Sequence, residues 1–433
     1  MQNSGHCDKA GAGGYNETTV VQTMDALVKQ GLDKLGYKYL NLDDCWIAEN
    51  RTKEGKITAD PSRFPSGMAW LAAQAHSRGL KLGLYEAASL ETCRQYPGSQ
   101  GHEELDAATL AGFGADFVKL DSCGGDLGAK MKNESWPNQY LRWSKALNAS
   151  GRQIVFSCSW AVYYDVCLMK HGNDVATCAT APYDQSTESY IADICHMWRY
   201  DDDLFPTWSD VSADGRGGGG VGDIIKKMGG VGWPTSGGDG GQNFTARYRE
   251  ATGPGAFNDP DFVVVGCPTD KPCEGFSPND KIPLSDAEQR TQMSIWCMVQ
   301  APLIVGSDVR SLSPTALATL SNTDAIAINQ DTSHRPVVLP SPSDTVGDGA
   351  FPALVWTRVL ADGSVALSIT NMNDDGGALA AAVAPEALGL DPTRGATAKD
   401  VWAGTSSALA AGAPVAASVG VHETALFIVS QEA

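Results

Sequence analysis

The sequence predicts an α/β fold: a (β/α)8 barrel followed by a C-terminal antiparallel β-sandwich. Over the first two-thirds of the chain, helix-like and strand-like segments alternate, which indicates a parallel sheet with helical crossovers. Several strand-like segments run directly into carboxylates, and a (β/α)8 barrel builds its site from the carboxyl ends of its strands. From about residue 336 the helical pattern stops, and short strands between turn residues follow, as in a β-sandwich.

The barrel elements are predicted from their periodicity. Apolar residues recur at three- and four-residue spacing over residues 20–35, which predicts a helix, and a strand follows over residues 37–43. The next helices are predicted over residues 68–76, 105–113 and 139–147, and the strands after them over residues 81–86, 116–121 and 153–157. Further strand candidates are residues 197–200, a stretch near residues 256–257, residues 303–306 and one at the N-terminus, which makes about eight in all.

A glycine-rich stretch and the C-terminal part complete the predicted organisation. Residues 215–241 are rich in glycine, with one short helix predicted over residues 221–228. This stretch is interpreted as a surface insertion, with a mobile lid beside the site as the alternative. Sandwich strands are predicted over residues 354–356, 365–369 and 424–429. We place the barrel in residues 1–333 and the sandwich in residues 334–433, and expect the chemistry in the barrel because the sandwich has few clustered carboxylates.

The composition argues against two classes of partner. The formal net charge is −19, and phosphate binding needs a basic surface, so nucleic acid is not expected as a ligand. No apolar run approaches the roughly 18–20 residues that a membrane-spanning helix needs, so no membrane partner is expected. A hydrophobic content of 42% with 19% charged residues is typical of a folded globular protein.

Cysteines and glycosylation motifs indicate the secretory route. The chain has 11 cysteines, which is high for a cytosolic enzyme. Asn-x-Ser/Thr motifs occur at Asn16, Asn50, Asn133, Asn148 and Asn243. The first residues have neither the basic start nor the apolar core of a signal peptide, so a removed signal or a truncated start is expected. A secreted or a lysosomal or vacuolar location is therefore predicted.

The carboxylates at strand ends predict glycosidic-bond chemistry. They occur in YLNLDD at residues 39–44, FVKLD at 117–121, WRYDDD at 198–203 and GPGAFNDPD at 253–261. Side chains alternate along a strand, so Lys119 and Asp121 share a face, and the lysine keeps the carboxylate ionised, as a nucleophile requires. One of the three adjacent acids at residues 201–203 would hold its proton longer, which suits a general acid. Paired carboxylates with these two roles are typical of glycosidases.

Two other readings of these carboxylates were weighed. Any single Asp at a strand end can be a helix N-cap or a turn former, but four such ends together favour a site. Asp43 and Asp44, or the acids at residues 201–203, could instead ligate Ca²⁺ or Mg²⁺. The sequence has neither the EF-hand spacing nor a two-Cys/two-His pattern, so no metal and no other cofactor is predicted.

A series of motifs resembles glycoside hydrolase family 27, which contains α-galactosidases and α-N-acetylgalactosaminidases. In chain order they are YLNLDDCW, KLGLYEAASLETC, DFVKLDSC, SCSW, WRYDDD, GPGAFNDPD, QAPLIVGSD and AIAINQD. Eight motifs in the same order are a specific signal, and the resemblance covers residues 3–331. The C-terminal part resembles the β-sandwich of the family more loosely.

The resemblance implies roles for individual residues. Asp121 falls at the catalytic nucleophile, and Asp203 falls at the acid/base because Trp208 keeps the ten-residue spacing of the family from Trp198. Asp43 and Asp44 match the pair that binds the sugar O4 and O6 hydroxyls. The other residues implied to bind substrate or line its pocket are Tyr85, Lys119, Ser159, Val162, Tyr163, Arg199 and Asp261.

The implied reaction is double displacement with retention of the anomeric configuration on α-galactoside oligosaccharides or glycoconjugates. Asp121 attacks the anomeric carbon while Asp203 protonates the leaving oxygen, and Asp203 then activates water. A non-catalytic carbohydrate-binding barrel is the alternative, and the presence of both Asp121 and Asp203 argues against it. A metal-dependent hydrolase is the third class considered. A homodimer is left open.

Two features depart from the family pattern: the N-terminal strand and the motif that selects the sugar. Gln2 stands where a Trp that packs on the sugar is expected, so the first strand is expected to be short or missing. The sugar-selecting motif is mixed: α-galactosidases tend to have Glu or another bulky polar residue and then a large apolar one, whereas N-acetylgalactosaminidases have Ser and Ala. Here these positions hold Ser159 and Val162. Galactose is the predicted sugar, with N-acetylgalactosamine as the close alternative.

The resemblance also implies disulfides. The family pattern pairs Cys7 with Cys45, Cys93 with Cys123, and Cys158 with Cys195. Proximity in the sequence alone suggests the further pairs Cys167–Cys178 and Cys267–Cys273. Cys297 is left over in an apolar segment and is interpreted as a buried free thiol.

Overall fold

The computed structural model describes residues 15–122, 136–159, 191–199, 203–209, 219–228, 252–267, 283–334, 337, 353–374 and 376–432, and the structural statements below concern those residues. The strand expected at the N-terminus and most of the glycine-rich stretch lie outside them. In the described part, no helix is both long and apolar enough to cross a membrane.

The N-terminal part alternates helices and strands, as predicted. Its helices are α1 (Glu17–Lys29), α2 (Gly67–Ser77), α3 (Glu103–Phe113), α4 (Trp136–Ala149), α5 (Ile191–Ile194), α6 (Val221–Met228), α7 (Asp286–Met298), α8 (Pro314–Leu320) and α9 (Thr323–Asn329). Its strands are β1 (Tyr39–Asn41), β2 (Lys81–Ala87), β3 (Phe117–Asp121), β4 (Val155–Cys158), β5 (Met197–Arg199), β6 (Leu204–Phe205), β7 (Gly219–Gly220) and β8 (Phe257–Asp259).

Six of the described strands form one parallel sheet in the order β1–β2–β3–β4–β5–β8. The register pairs Tyr85 with Lys119 and Lys119 with Ser157, so these residues lie side by side across β2, β3 and β4. Because neighbouring strands are parallel, their carboxyl ends meet at one edge of the sheet. Beyond β8, residues 303–306 provide only a parallel bridge, from Val305 to Val263, and no longer strand.

The first helix ends earlier than its apolar pattern predicts. The helix α1 begins at a capping box in which Asn16 and Thr19 satisfy each other's backbone N–H groups. It ends at Lys29, because Gly31 takes a left-handed conformation with φ 74° that an α-helix cannot continue through. A separate 3-10 turn, Leu32–Leu35, then continues the buried apolar face through Leu32.

The C-terminal part is an antiparallel β-sandwich. One sheet has the order β13–β12–β15–β10–β9, and β11 pairs with β14. The strands are β9 (Leu354–Val359), β10 (Val365–Thr370), β11 (Leu379–Val383), β12 (Ala396–Asp400), β13 (Thr405–Leu409), β14 (Val415–Val419) and β15 (Thr424–Gln431). Residues such as Leu367, Val383 and Val429 form a core of its own between the two sheets.

The sandwich lies against helices α7 to α9 of the N-terminal part. The guanidinium of Arg358 on β9 donates to the carbonyl oxygens of Met298 at 2.8 Å and of Ile328, at the C-terminal ends of α7 and α9. Trp402 Nε1 donates to Ser294 Oγ at 3.0 Å. A helix leaves its last carbonyls without internal partners, so the sandwich satisfies groups that the barrel helices cannot satisfy alone.

Candidate active site

The strand ends bring four of the predicted site residues to the lining of one pocket. Asp43 follows β1, Lys119 lies on β3, Arg199 ends β5, and Asp261 follows β8. The pocket is lined by Asn41, Leu42, Asp43, Phe117, Lys119, Ser157, Arg199, Asp259, Asp261, Phe262 and Ile304. Gly83 makes room for this lining, because a Cβ there would lie 2.0 Å from Asn41 Oδ1 and 3.0 Å from a ring atom of Phe117.

Lys119 holds two carboxylates beside the pocket. Its ammonium Nζ lies 2.8 Å from Asp43 Oδ2 and 3.7 Å from Asp121 Oδ2. Burial disfavours the ammonium, but the carboxylates of Asp43 and Asp121 outweigh burial and raise the pKa of Lys119 above its ordinary value. The lysine is therefore charged at neutral pH, and it places a positive charge between the two acids. The same ammonium lies 5.4 Å from the centre of the Tyr85 ring, which is buried.

Asp121 is oriented from several sides. Its Oδ1 accepts a hydrogen bond from its neighbour Ser122 N at 2.8 Å. Cys93 Sγ, which belongs to a disulfide, lies 3.6 Å from Asp121 Oδ2 and 3.1 Å from the Tyr85 hydroxyl. Ala88 N also donates to the Asp121 carbonyl oxygen at 2.7 Å. The carboxylate is buried against these groups at the end of β3, so its direction is restricted before any ligand binds.

Asp43 and Asp44 differ in their electrostatic surroundings. Asp43 has the Lys119 ammonium, whereas Asp44 accepts backbone N–H bonds from Cys45 at 2.7 Å and Arg94 at 2.9 Å. Burial, followed by the charge of Asp43, raises the pKa of Asp44 to about 6. Two adjacent carboxyl groups can accept hydrogen bonds from neighbouring hydroxyls of a sugar.

Arg199 joins Asp203 to Asp261. Its guanidinium lies 2.9 Å from Asp261 Oδ2 and 3.4 Å from Asp203 Oδ1. The Asp203 side chain is 75% exposed, whereas that of Asp261 is 3% exposed. Burial raises the pKa of Asp261 to about 7, with Arg199 acting in the opposite direction and Asp203 and Asp259 adding to the rise. A single buried cation thus faces an exposed acid on one side and a buried acid on the other.

Asn41 and Asp259 also line the pocket. Strand alternation predicts Asn41 there, because it shares a face with Asp43, whereas Asp259 is not among the residues predicted for the site. Asp259 Oδ1 accepts a hydrogen bond from Asp261 N at 2.9 Å, and burial raises the pKa of Asp259. Both residues stand in the sequence motifs at strand ends, FNDPD and YLNLDD. The same alternation could have indicated Asp259, which lies two residues before Asp261.

Ser159 follows β4 and is buried. Its backbone N donates to Leu120 O at 3.1 Å, and its hydroxyl has no hydrogen-bond partner within the described residues. Val162 and Tyr163 lie outside the described residues, as do Asp201 and Asp202. In the described part, no group of three or more His, Cys, Asp or Glu side chains is arranged to hold a metal ion.

One disulfide lies wholly within the described residues. Cys158 at the end of β4 is bonded to Cys195, just before β5, with a Cα–Cα distance of 6.1 Å. This is a pair that the family resemblance implies. Cys45, Cys93 and Cys267 are also disulfide-bonded, and Cys297 is a buried free thiol. The cysteines outside the described residues are Cys7, Cys123, Cys167, Cys178 and Cys273.

Two family profiles match the sequence. The profile described as alpha galactosidase A matches residues 2–215 and 242–331, and that of the alpha galactosidase C-terminal beta sandwich domain matches residues 351–429. The chain belongs to the α-galactosidase A family, in glycoside hydrolase family 27. The family that the eight sequence motifs resemble is thereby confirmed.

Individual members of the α-galactosidase family agree with this assignment. Human alpha-galactosidase A is 32% identical over 374 residues, which are 86% of this chain and 72% of that protein. The alpha-N-acetylgalactosaminidase of Gallus gallus is 33% identical over 317 residues, or 73% of this chain and 64% of that protein. The solved α-galactosidase structure from Saccharomyces cerevisiae has a TM-score of 0.75 at 23% identity, covering 99% of this chain and 96% of that one. The predicted fold, a barrel followed by an antiparallel sandwich, is confirmed.

Proposed function

We propose that this protein is a retaining exo-glycosidase that hydrolyses terminal α-D-galactosyl residues of oligosaccharides or glycoconjugates. The observation that carries the proposal is the position of Lys119, whose ammonium lies 2.8 Å from Asp43 and 3.7 Å from Asp121 at one pocket. It links an acid suited to bind sugar hydroxyls with an acid suited to attack the anomeric carbon. Membership of the α-galactosidase family supports the same reaction.

The first chemical step needs a carboxylate nucleophile. The Asp121 carboxylate forms a bond to the anomeric carbon while the bond from that carbon to the leaving oxygen breaks. The Lys119 ammonium, 3.7 Å from Asp121 Oδ2, places a positive charge beside the attacking carboxylate. The backbone N–H of Ser122 holds the carboxylate in one rotamer, which lowers the entropy cost of reaching the attacking geometry.

Asp203 acts as the general acid and then as the general base. It gives its proton to the leaving oxygen in the first step, and it takes a proton from the water that releases the sugar in the second. Its side chain is 75% exposed, so an aglycone and later a water molecule can reach it. The Arg199 guanidinium lies 3.4 Å from Asp203 Oδ1 and contacts this carboxyl group from the pocket side.

The stereochemistry of the product tests the proposed reaction. With p-nitrophenyl α-D-galactoside as substrate, proton NMR of the first turnovers should show α-galactose, since two displacements at one carbon restore its configuration. Asp203→Asn and Asp121→Asn are the matched variants, because each removes one carboxylate at almost constant volume. Initial formation of β-galactose would show inversion and contradict the assignment, as would normal turnover by Asp121→Asn.

The second candidate substrate is a terminal α-N-acetylgalactosaminide. Ser159 favours it, because this side chain is small and its hydroxyl has no hydrogen-bond partner within the described residues. One or two methyl groups in a pocket change discrimination by only ~1–3 kcal/mol, so measurable hydrolysis of both sugars is expected. The ratio of kcat/KM for the two p-nitrophenyl glycosides measures this preference. We expect Ser159→Glu to shift that ratio toward galactose and Val162→Ala to shift it toward the N-acetylated sugar.

Two further proposals concern the chain as a whole. We propose that it follows the secretory route, to the outside of the cell or to a lysosome or vacuole, and the Cys158–Cys195 disulfide supports an oxidising compartment. We also propose a domain boundary near residues 333–334, which is supported by profile matches that end at residue 331 and resume at residue 351. Loss of mass on treatment of the secreted protein with an N-glycosidase tests the route.

A further inference from the structure

A histidine of the sandwich is stacked on a tryptophan of the barrel. The ring centroids of His422 and Trp208 are 4.1 Å apart, and the ring planes differ by 17°. Trp208 is buried, and its indole Nε1 has no hydrogen-bond partner among the described residues. Packing, and not a hydrogen bond from the ring, therefore holds this indole in the described part of the molecule.

The imidazole of His422 is itself held in place by groups from helix α7 and from the sandwich. Its Nδ1 lies 2.7 Å from Glu288 Oε1 at the start of α7, and its Nε2 lies 3.1 Å from Asp374 Oδ1 in the sandwich. Thr291 on α7 donates to the His422 carbonyl oxygen at 2.7 Å. With both ring nitrogens and the backbone fixed, the ring presents a rigid flat face to the indole.

Trp208 ends the short segment that begins with the acid/base Asp203. At the front of this segment, Gly219 N donates to Asp203 O at 3.3 Å and Leu204 N to Asp261 Oδ2 at 2.9 Å. At its end, Gly222 N donates to Trp208 O at 2.7 Å. Because the Asp203 side chain is 75% exposed, the backbone of this segment sets where its carboxylate points.

We propose that His422 is a positioning residue for Asp203 and acts through the indole of Trp208. The inference rests on the proposed function, in which Asp203 is the acid/base. Helix α7 and the sandwich hold the imidazole, and the imidazole packs on the indole of Trp208. The indole thereby holds the end of the segment 203–208 that is opposite Asp203. A displacement of Asp203 by a fraction of an ångström weakens proton transfer to the leaving oxygen, since such transfer needs hydrogen-bond geometry.

The dependence of the rate on the leaving group measures this role. A leaving group that is already acidic needs no proton, whereas a sugar alcohol does. We expect His422→Asn to lower kcat/KM for raffinose, a probe with a sugar leaving group, by about tenfold and that for 2,4-dinitrophenyl α-galactoside by less than about twofold. Asn suits the backbone of residue 422, which has φ 56°, so the change removes the stack without adding strain. Asp203→Ala removes the acid/base carboxyl group altogether, so it gives the largest difference between the two substrates that this role can cause.

A second variant displaces the same indole from the barrel side. A Cβ on Gly222 would lie 2.6 Å from Trp208 Cε2, so Gly222→Ala must shift the ring. We expect it to steepen the dependence of kcat/KM on leaving-group acidity in the same direction as His422→Asn. The matched control is His334→Asn, which replaces another histidine with positive φ (46°), whose ring lies 6.1 Å from that of Phe257 at the start of β8. We expect this control to leave the dependence unchanged.

The ratio between two substrates is measured within one preparation, so a partly unfolded variant does not distort it. If the wild type is active but His422→Asn and Gly222→Ala lose kcat/KM equally on both substrates, this inference is overturned. The proposed function would still stand in that case. The same change in the ratio of kcat/KM for the two substrates in His334→Asn would also overturn the inference. A general loss of rigidity in the protein would then explain the effect. A wild type with no activity on either galactoside would overturn the proposed function and, with it, this role for His422.

Discussion

Asp44 connects sugar binding to the pH dependence of stability. Its folded-state pKa is about 6, raised by burial and by Asp43, above the ordinary value of 3.8. The stability that goes with its protonated form is fully present below about pH 4 and is lost as the pH rises through 6. A shift of about two units corresponds to roughly 3 kcal/mol.

We therefore expect Asp44→Asn, which is neutral at every pH, to remove this loss. Between pH 4 and pH 7 its free energy of unfolding should fall less than that of the wild type, by roughly 3 kcal/mol. Urea unfolding at several pH values measures the difference. Asp60→Asn is the control: hydrogen bonds from Ser62 outweigh burial and lower the pKa of Asp60, so this acid stabilises the fold at higher pH. Identical pH profiles for wild type and Asp44→Asn would contradict the prediction.

Asp121 and Asp203 can be told apart by the product that azide gives. We expect Asp121→Ala to lose turnover by about 10⁴-fold or more, since a missing nucleophile stops the first step. Azide then enters the vacated space and should give β-galactosyl azide. In Asp203→Ala the nucleophile remains, so an activated substrate with azide should give the α anomer. The anomeric coupling constants in NMR distinguish the two products, and a common product would refute the assigned roles.

Among single residues, the sequence predicted the charged members of the site better than its lining. Lys119 and Asp121 follow from strand alternation, because a two-residue period places them on one face. Asn41 follows in the same way, because it shares a face with Asp43, whereas Asp259 was missed because the predicted roles followed motif positions and left out this neighbouring acid. The stack of His422 on Trp208 could not be predicted from the chain, since 214 residues separate the two and no local pattern links them.

At the scale of elements, parallel strand order was predictable and exact strand length was not. The helical and strand periods of the first two-thirds predicted the parallel sheet, whereas residues 303–306 form only the Val263–Val305 bridge. The break of α1 depends on Gly31, whose left-handed backbone interrupts an apolar pattern that otherwise continues. Periodicity records which face is buried, so it cannot by itself locate a change of backbone direction.

The Cys158–Cys195 disulfide connects the end of β4 with the residues just before β5. It closes a loop with a sequence separation of 37, for which chain entropy gives a stabilisation of about 4 kcal/mol. We expect the double variant Cys158→Ala/Cys195→Ala to lose stability of this order in guanidinium unfolding. Cys297→Ala, at the buried free thiol, controls for loss of a buried sulfur alone. A double variant no less stable than Cys297→Ala would show that the loop is restrained by other contacts.

For the whole molecule, Arg358 is the clearest link between barrel and sandwich. This buried guanidinium donates to the carbonyl oxygens of Cys297, Met298 and Ile328. We expect Arg358→Met to destabilise the protein by about 3 kcal/mol, because it leaves buried helix-end carbonyls without donors. Arg78→Met, at a surface pair with Asp25, should cost less than about 1 kcal/mol. Equal costs for the two variants, from urea unfolding, would show that Arg358 contributes no more than a surface charge.

The contact between sandwich and barrel has a consequence for anyone who shortens this enzyme. Removal of the sandwich would uncover the ends of α7 and α9, the Ser294 hydroxyl beneath Trp402, and the face of Trp208. The barrel alone would therefore have helix-end carbonyl oxygens without their donors from the sandwich and a solvent-exposed indole on one side. A smaller industrial or therapeutic version would need new side chains there, designed to replace Arg358, Trp402 and His422, before the shortened protein could remain soluble and folded.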